Sequence, residues 1–305
     1  MIEKQLNDVC YLQFHHFSQF PELVHGIFTR QGGHSVAPYA SLNTSTTLKA
    51  AQNGGDSIAN VVRNRQLALQ ALDLPLHPCV TLWQVHGAAV EIFDNSETWR
   101  TDWAYESYYY QSWMPETIRK ADALITQQRG ITLALSFADC TPVLLYDPVK
   151  RVAALAHSGW RGTARGIVAA TVAAMVRRFD CRPEQIHAGI GPAIGACCYE
   201  VSETVRQIFL GHAQFDEMPT DPQYRGIVRE SAIFSTITLP DGRASLRLDL
   251  QATCYRQLLM TGIRPEHIET TDICTACRRD RFFSHRVEQG KTGRFPVFMA
   301  LRAGT

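Results

Sequence analysis

An α+β fold in a single domain, with a layered mixed or antiparallel β-sheet core flanked by helices, is what this sequence predicts. Three observations carry that expectation. Short apolar or β-branched runs bounded by turn formers recur from Val80 to Leu301. DPVKR, 147–151, joins two such runs, and Asp147 followed by Pro148 marks a tight turn, so the flanking strands form an antiparallel hairpin. Three amphipathic stripes at helical spacing each offer one apolar face, as a helix covering a sheet from one side does.

The elements follow in chain order. DSIANVVRNRQLALQAL reads as a helix capped by Asp56, with Ile58, Val61, Val62, Leu69 and Leu72 on one face. Strands are expected over VTLW (80–83), AAVEIF (88–93), ALIT (123–126), ITLALS (131–136), PVLLY (142–146) and VAALA (152–156). TARGIVAATVAAMVRRF reads as one helix starting at Thr163, with Val168, Val172, Met175, Val176 and Phe179 on its stripe. A strand follows at IHAGI (186–190). LDLQATCYRQLLMTGI then aligns Leu250, Cys254, Leu258 and Leu259 and stops at Gly262. FPVFMAL (295–301) is the last strand. Residues 94–120 and 213–244 have no clean period and read as long loop excursions, the kind that serve as lids or binding loops.

The chain has 305 residues, of which 45% are hydrophobic and 19% charged, which excludes a disordered chain. A formal net charge of +1 gives no reason to expect a nucleic-acid partner. No apolar run approaches the roughly 18 residues of a membrane span. MIEKQLNDVCYLQFHHF lacks a basic segment followed by an apolar one, so a cytoplasmic protein is expected. The nine cysteines lack the regular spacing of a disulfide framework. Cys10, Cys79, Cys181 and Cys254 are expected as small buried hydrophobes.

Three segments, each at a strand end, stand out: WQVHG (83–87), SFADC (136–140) and LAHSGWRG (155–162). If the strand ends converge, His86, Cys140 and His157 form a His–Cys–His set, the ligand chemistry of zinc, or of copper where the site is soft. Three protein ligands with an open fourth position is the arrangement of catalytic zinc. Spacing alone leaves open that these histidines are separate hydrogen-bonded core or edge residues, because the three positions are remote in sequence.

HGIFTRQGGHSVAPYASLN (25–43), WQVHG, ADALIT (121–126), SFADCTPVLLYDP (136–148), LAHSGWRGTARGIV (155–168), GPAIGACCYEV (191–201) and KTGRFPVFMAL (291–301) together resemble, in consistent order, the laccase-domain family. That family was first called multicopper polyphenol oxidase and is also called the peptidoglycan editing factor family. The resemblance implies a domain over residues 25–305 after a 24-residue extension, with insertions near 94–120 and 213–244. It implies a zinc-dependent purine nucleoside phosphorylase acting on adenosine, inosine or methylthioadenosine with phosphate, with adenosine deaminase activity as well. It implies His86, Cys140 and His157 as zinc ligands and catalytic centre, with copper as an alternative metal. Phe137 departs from the pattern, standing where a small polar residue is expected.

Phosphorolysis needs a cradle for phosphate, for which Arg30, Gly32, Gly33 and Arg161 are the candidates. Asn43 and Gln84 are candidates to hydrogen-bond ribose or base, or else to brace loops; His285 and Arg286 are candidates to border the pocket, and His25 and His34 to support it from behind. Deamination also needs a proton carrier. Asp139 adjoins Cys140, although its side chain is expected to point away because neighbouring strand residues alternate faces. Two other chemistries remain open: a metal-free Cys140–His157 hydrolase acting on peptidoglycan precursors, and a copper-dependent polyphenol oxidase. Cys274 and Cys277 form a CxxC without a partner CxxC, and they and Cys197–Cys198 are expected as packing or turn residues. A monomer or homodimer is expected.

Overall fold

The computed structural model describes residues 1–94, 99–108, 119–214 and 220–303. Among the described residues there are fourteen strands: β1 Ile2–Leu6, β2 Val9–Gln13, β3 Leu23–Phe28, β4 Cys79–Val80, β5 Val90–Phe93, β6 Ala123–Thr126, β7 Thr132–Phe137, β8 Thr141–Asp147, β9 Val152–Ser158, β10 His187–Ile190, β11 Phe234–Thr238, β12 Ala244–Leu248, β13 Ile268–Thr270 and β14 Phe295–Leu301. The helices are α1 Leu48–Gln52, α2 Ile58–Ala71, α3 Trp160–Arg165, α4 Ile167–Phe179, α5 Glu203–Leu210, α6 Arg225–Ser231 and α7 Leu250–Met260.

Two six-stranded sheets form the middle of the molecule, in the orders β1-β2-β3-β14-β7-β4 and β13-β10-β8-β9-β6-β5. Pairing is antiparallel except for β4 with β7, β10 with β13 and β5 with β6. Alternation along each strand explains the layers. On β8, Leu144 and Tyr146 join Leu133, Leu135, Phe137 and Phe295 of the other sheet in one core. The intervening Val143 and Leu145 meet α4 and α7 through Val168, Val172, Met175, Cys254 and Leu258. On the far side, Phe28, Ala134 and Phe298 are covered by Leu69 and Leu72 of the α2 segment. The order is helix, sheet, sheet, helix. Central strands buried on both faces read as continuous apolar runs, because each face is covered. No described helix is long and apolar enough to cross a membrane.

Several expectations change. Ser57, not Asp56, caps α2, its side chain accepting the N–H of Asn60. Asp56 is instead buried and accepts hydrogen bonds from Ser35 and Asn43. The helix expected from Thr163 is two, α3 and α4, split at Gly166 with φ +82°. A Cβ at Gly166 would lie 2.7 Å from Tyr224 Cβ, so glycine serves both the turn and the close packing.

VTLW yields only Cys79–Val80 as strand. Beyond it the Gln84 amide takes the place of backbone, donating to the Ser136 carbonyl (2.9 Å) and accepting the Ser136 N–H (3.0 Å). Residues 2–13, expected as part of an extension, pair as β1 and β2 onto β3. Within 213–244, the described residues 220–244 contain α6 and β11, anchored by buried Tyr224 and Val228. Most of 94–120 lies outside the described residues. Its described part sends Trp103 into the core, edge-on to Phe298, with Arg65 stacked 4.3 Å over its ring.

Candidate active site and metal centre

Sheet register assembles the site. In the β8–β9 hairpin Thr141 pairs with Ser158 and Pro142 with His157, so Cys140, just before β8, sits at the strand end beside His157. Ala123 pairs with Ala156 on the other side of β9, which sets Asp122 against His157. His86 arrives on the loop between β4 and β5 with φ +59°, and Asp139, preceding the cysteine, has φ +83°. Two non-glycine residues in this sparsely populated region at one site are backbone strain held in place by their surroundings.

The ligand atoms of His86, Cys140 and His157 all lie within 4.8 Å of one another. The two imidazoles meet edge-on, 4.9 Å between centroids. The hub behind them is Asp122, fully buried. Its carboxylate accepts the backbone N–H groups of Val85 (3.2 Å), His86 (3.0 Å) and Gly87 (2.6 Å), and Nδ1–H of His157 (2.9 Å). Fixing Nδ1–H leaves Nε2 of His157 as the lone-pair nitrogen, the arrangement found behind metal-bound histidines. Arg165 donates to the His86 carbonyl at 2.7 Å and holds that loop from below. A Cβ at Gly159 would come within 2.7 Å of Cys140 Sγ and 3.0 Å of His86 Cδ2, so the cluster uses the space that glycine leaves open.

Electrostatics agree with the geometry. Burial by itself would raise the Cys140 thiol pKa, but the charge and hydrogen bond of His157, then those of His86, bring it below the ordinary thiol value. Burial by itself would lower His157, yet the Cys140 charge and the bond to Asp122 raise it. Burial opposes ionisation of Asp122, and its bonds to His157, Gly87 and His86 more than offset this. Two neutral-capable imidazoles and a thiol inclined to ionise form a donor set that fits a metal ion of the zinc or copper class.

The other expected residues divide. Arg30 is committed to the fold: it donates to the carbonyls of Ala40 and Arg279, pairs with Glu288 at 2.9 Å and stacks on Phe283. Gly32 and Gly33 are packed against backbone, where a Cβ would meet Asp8 O at 2.3 Å and Ser41 O at 2.2 Å. Asn43 is fully buried and braces Asp56 and the Arg294 N–H. Gln84 is the Ser136 clamp described above. Arg161 is exposed, its guanidinium 4.5 Å over Trp160. Asp139 points into the fold, accepting from Thr275 Oγ1 (2.6 Å) and the Arg286 N–H (2.7 Å). His25 is buried between Phe14 and Phe17, its Nε2 accepting the Phe14 N–H, and His34 is exposed on a loop held by Asn64. Phe137 packs 5.3 Å from the His157 ring, covering it on the core side.

Two residues were not singled out from sequence. Asp122 carried a signal, a lone charge inside the apolar stretch ADALIT. Arg294 carried none. Its guanidinium is desolvated, which lowers its pKa, while Cys140 and Asp139 act on it in the opposite sense. It donates to the Thr292 and Gly293 carbonyls and to Nδ1 of His285 at 3.2 Å.

Known proteins agree with this architecture. The family model described as multi-copper polyphenol oxidoreductase laccase matches residues 24–302. "Purine nucleoside phosphorylase YlmD" of Geobacillus stearothermophilus is 36% identical over 284 residues, covering 93% of this chain and 92% of the relative. "Purine nucleoside phosphorylase SCO2081" of Streptomyces coelicolor is 38% identical, covering 90% and 94%. The crystal structure of YlmD from Geobacillus stearothermophilus superposes with a TM-score of 0.77 at 32% identity, covering 98% of each chain. With its fold, its ordered motifs and nearly its whole length matched, this chain belongs to the multi-copper polyphenol oxidoreductase laccase family, whose relatives here carry the name purine nucleoside phosphorylase.

Proposed function

We propose that this chain is a zinc-dependent purine nucleoside phosphorylase accepting adenosine, inosine and methylthioadenosine, with adenosine deamination as a side activity. The observation that carries this reading is the convergence of His86, Cys140 and His157, within 4.8 Å, in a chain so similar to named phosphorylases. Zinc held by these three residues would supply a Lewis acid next to the substrate. The rest of the work belongs to the protein's own side chains. A phosphate oxygen attacks C1′ of the nucleoside, the glycosidic C–N bond breaks, and its electron pair leaves on the purine. Arg161 and the desolvated Arg294 are the cations suited to hold phosphate. Partial desolvation and the Arg294 charge lower the pKa of the exposed His285 ring, and its Nδ1 accepts from Arg294. With Nδ1 accepting from Arg294, Nε2–H of His285 is available to donate a hydrogen bond to the departing base, which takes its proton from solvent. Asp139 is excluded as a proton carrier by its bonds to Thr275 and Arg286.

A second reading has its own observation. Asp122, His157 and Cys140 are linked as carboxylate, imidazole and thiol, the order of a cysteine hydrolase triad. One experiment separates the two. The purified chain is incubated with each nucleoside and phosphate, then stripped with a chelator and reloaded with zinc, with muropeptide precursors assayed in parallel. Phosphorolysis that falls on stripping and returns with zinc supports the first reading. Metal-independent cleavage of muropeptides would replace it. Within the phosphorylase, Arg161→Ala raises KM for phosphate about tenfold, a loss of ~1.4 kcal/mol, while Arg30→Ala leaves that KM unchanged.

A further inference from the structure

Four cysteines outside this site, each expected singly as a packing or turn residue, are brought together by the fold. Cys197 and Cys198 lie on the loop after β10, Cys274 and Cys277 on the loop after β13. Their four sulfurs lie within 4.8 Å of one another, with Cys198–Cys277 at 3.4 Å and Cys197–Cys277 at 3.6 Å. All four are free thiols. These separations are far beyond the ~2.05 Å of a disulfide bond. They are close to the ~3.8 Å edge of a tetrahedron built on a zinc–sulfur distance of about 2.3 Å.

The surroundings are those of a thiolate site. Cys274 Sγ accepts the Gly195 N–H at 3.2 Å, as a thiolate ligand on a loop accepts backbone donors. Arg247, 8% exposed, places its guanidinium against the cluster by donating to the Cys197 carbonyl at 3.3 Å. The two loops are already tied by a bridge between Ala193 and Cys274 and by the Thr275 N–H to the Ala193 carbonyl. The ligands are therefore held in place without the ion. Cys197 and Cys277 are exposed, which leaves an entry path.

We infer that Cys197, Cys198, Cys274 and Cys277 form a second, structural metal site that binds one zinc-class divalent cation as a tetrathiolate. Four sulfurs complete the coordination shell, so no position remains for a substrate, in contrast to the three-ligand centre. Binding releases the thiol protons to solvent, and Arg247 offsets part of the resulting negative charge. The same two loops hold the active-site wall: Ile194 donates its N–H to the Asp139 carbonyl at 2.9 Å, and Thr275 binds the Asp139 carboxylate. Closing the cluster would thus fix the residue before Cys140.

The test is metal content of the full chain, purified under reductant and loaded with zinc. Wild type is expected to hold about two zinc ions, and both Cys140→Ala and the double variant Cys197→Ser/Cys277→Ser about one. Cobalt-loaded Cys140→Ala should retain intense sulfur-to-cobalt charge-transfer absorption. Should the double variant fail to fold, the cobalt spectrum of Cys140→Ala still decides. A Cys140→Ala chain that is folded yet binds no metal, or whose intact mass shows these cysteines paired as disulfides, overturns the inference.

Discussion

The His86–Cys140–His157 centre and the four-cysteine cluster each gather their ligand atoms within 4.8 Å of one another, but by different means. The first hangs on sheet register: the pairing of Pro142 with His157 and of Ala123 with Ala156 places cysteine, histidine and Asp122 side by side. A buried carboxylate then orients one imidazole and three backbone N–H groups at once. The second hangs on two loops, and a backbone N–H, that of Gly195, donates to Cys274 Sγ. Mixed imidazole and thiolate ligands behind a carboxylate make a tuned, three-point centre. Under the proposed metal binding, the three-ligand centre would leave a coordination position for chemistry, and four sulfurs around one ion would use the whole shell to join two segments.

Removing the carboxylate breaks this comparison most severely. Asp122→Ala strips acceptors from three backbone N–H groups and from His157, each loss costing ~1–3 kcal/mol where the group stays buried. A stability loss of several kcal/mol is expected in urea unfolding. Asp122→Asn keeps an acceptor oxygen and should lower metal affinity and turnover by about 10–100-fold. Chelator competition should show the four-cysteine metal unmoved. Wild-type affinity in Asp122→Asn would detach the carboxylate from the centre.

The two glycines give a finer contrast. In Gly159→Ala the new Cβ falls 2.7 Å from Cys140 Sγ, whereas in Gly195→Ala it falls 3.2 Å from Cys274 Cβ and 3.3 Å from Cys197 Sγ. The first should cost ~1–3 kcal/mol in overpacking and displace the active-site metal. The second asks for a shift of a few tenths of an ångström and should leave both metals bound. Metal content of each variant checks the pair, and equal losses would erase the distinction.

His25 supplies a control among histidines, read as a slope per pH unit. Burial lowers its pKa from 6.5 to about 3, against the rise at His157. Its Nε2 accepts the Phe14 N–H, and its Nδ1 has no partner among the described residues. With the folded value below the unfolded one, the neutral ring stabilises the fold fully above pH 6.5, and that contribution is lost as pH falls towards 3. The slope is at most about 1.4 kcal/mol per pH unit from this residue. Urea midpoints at neutral and mildly acidic pH should show that slope in wild type and lose it in His25→Gln. An identical slope in both would mean that another group titrates.

The parts of the fold legible in sequence were those with a strong apolar period. ALIT matches β6 residue for residue, and the DPVKR turn does join two antiparallel strands. β1 was illegible because four of its five residues are exposed and polar or peripheral, and pairing with β2 rather than patterning makes it a strand. In the site, the three ligands were nominated by motif, and the geometry brings them together. Arg30, Asn43 and Gln84, candidates for phosphate and ribose contacts, spend side-chain donors on bonds within the fold. A sequence shows that a residue can hydrogen-bond, but not whether the fold has already used its donors. Arg294 stayed hidden because what sets it apart is burial beside Cys140 and Asp139.

Sequence by itself determined the strongly periodic elements, the layered α+β class and the identity of the chemical groups, since local periodicity and side-chain chemistry are written residue by residue. Only the tertiary structure decided which of those groups meet. Cys140 joins His157 through hairpin register, and Cys197 joins Cys277 across 80 residues through two facing loops. Proximity between remote segments is set by sheet order and packing, for which no single segment carries a code.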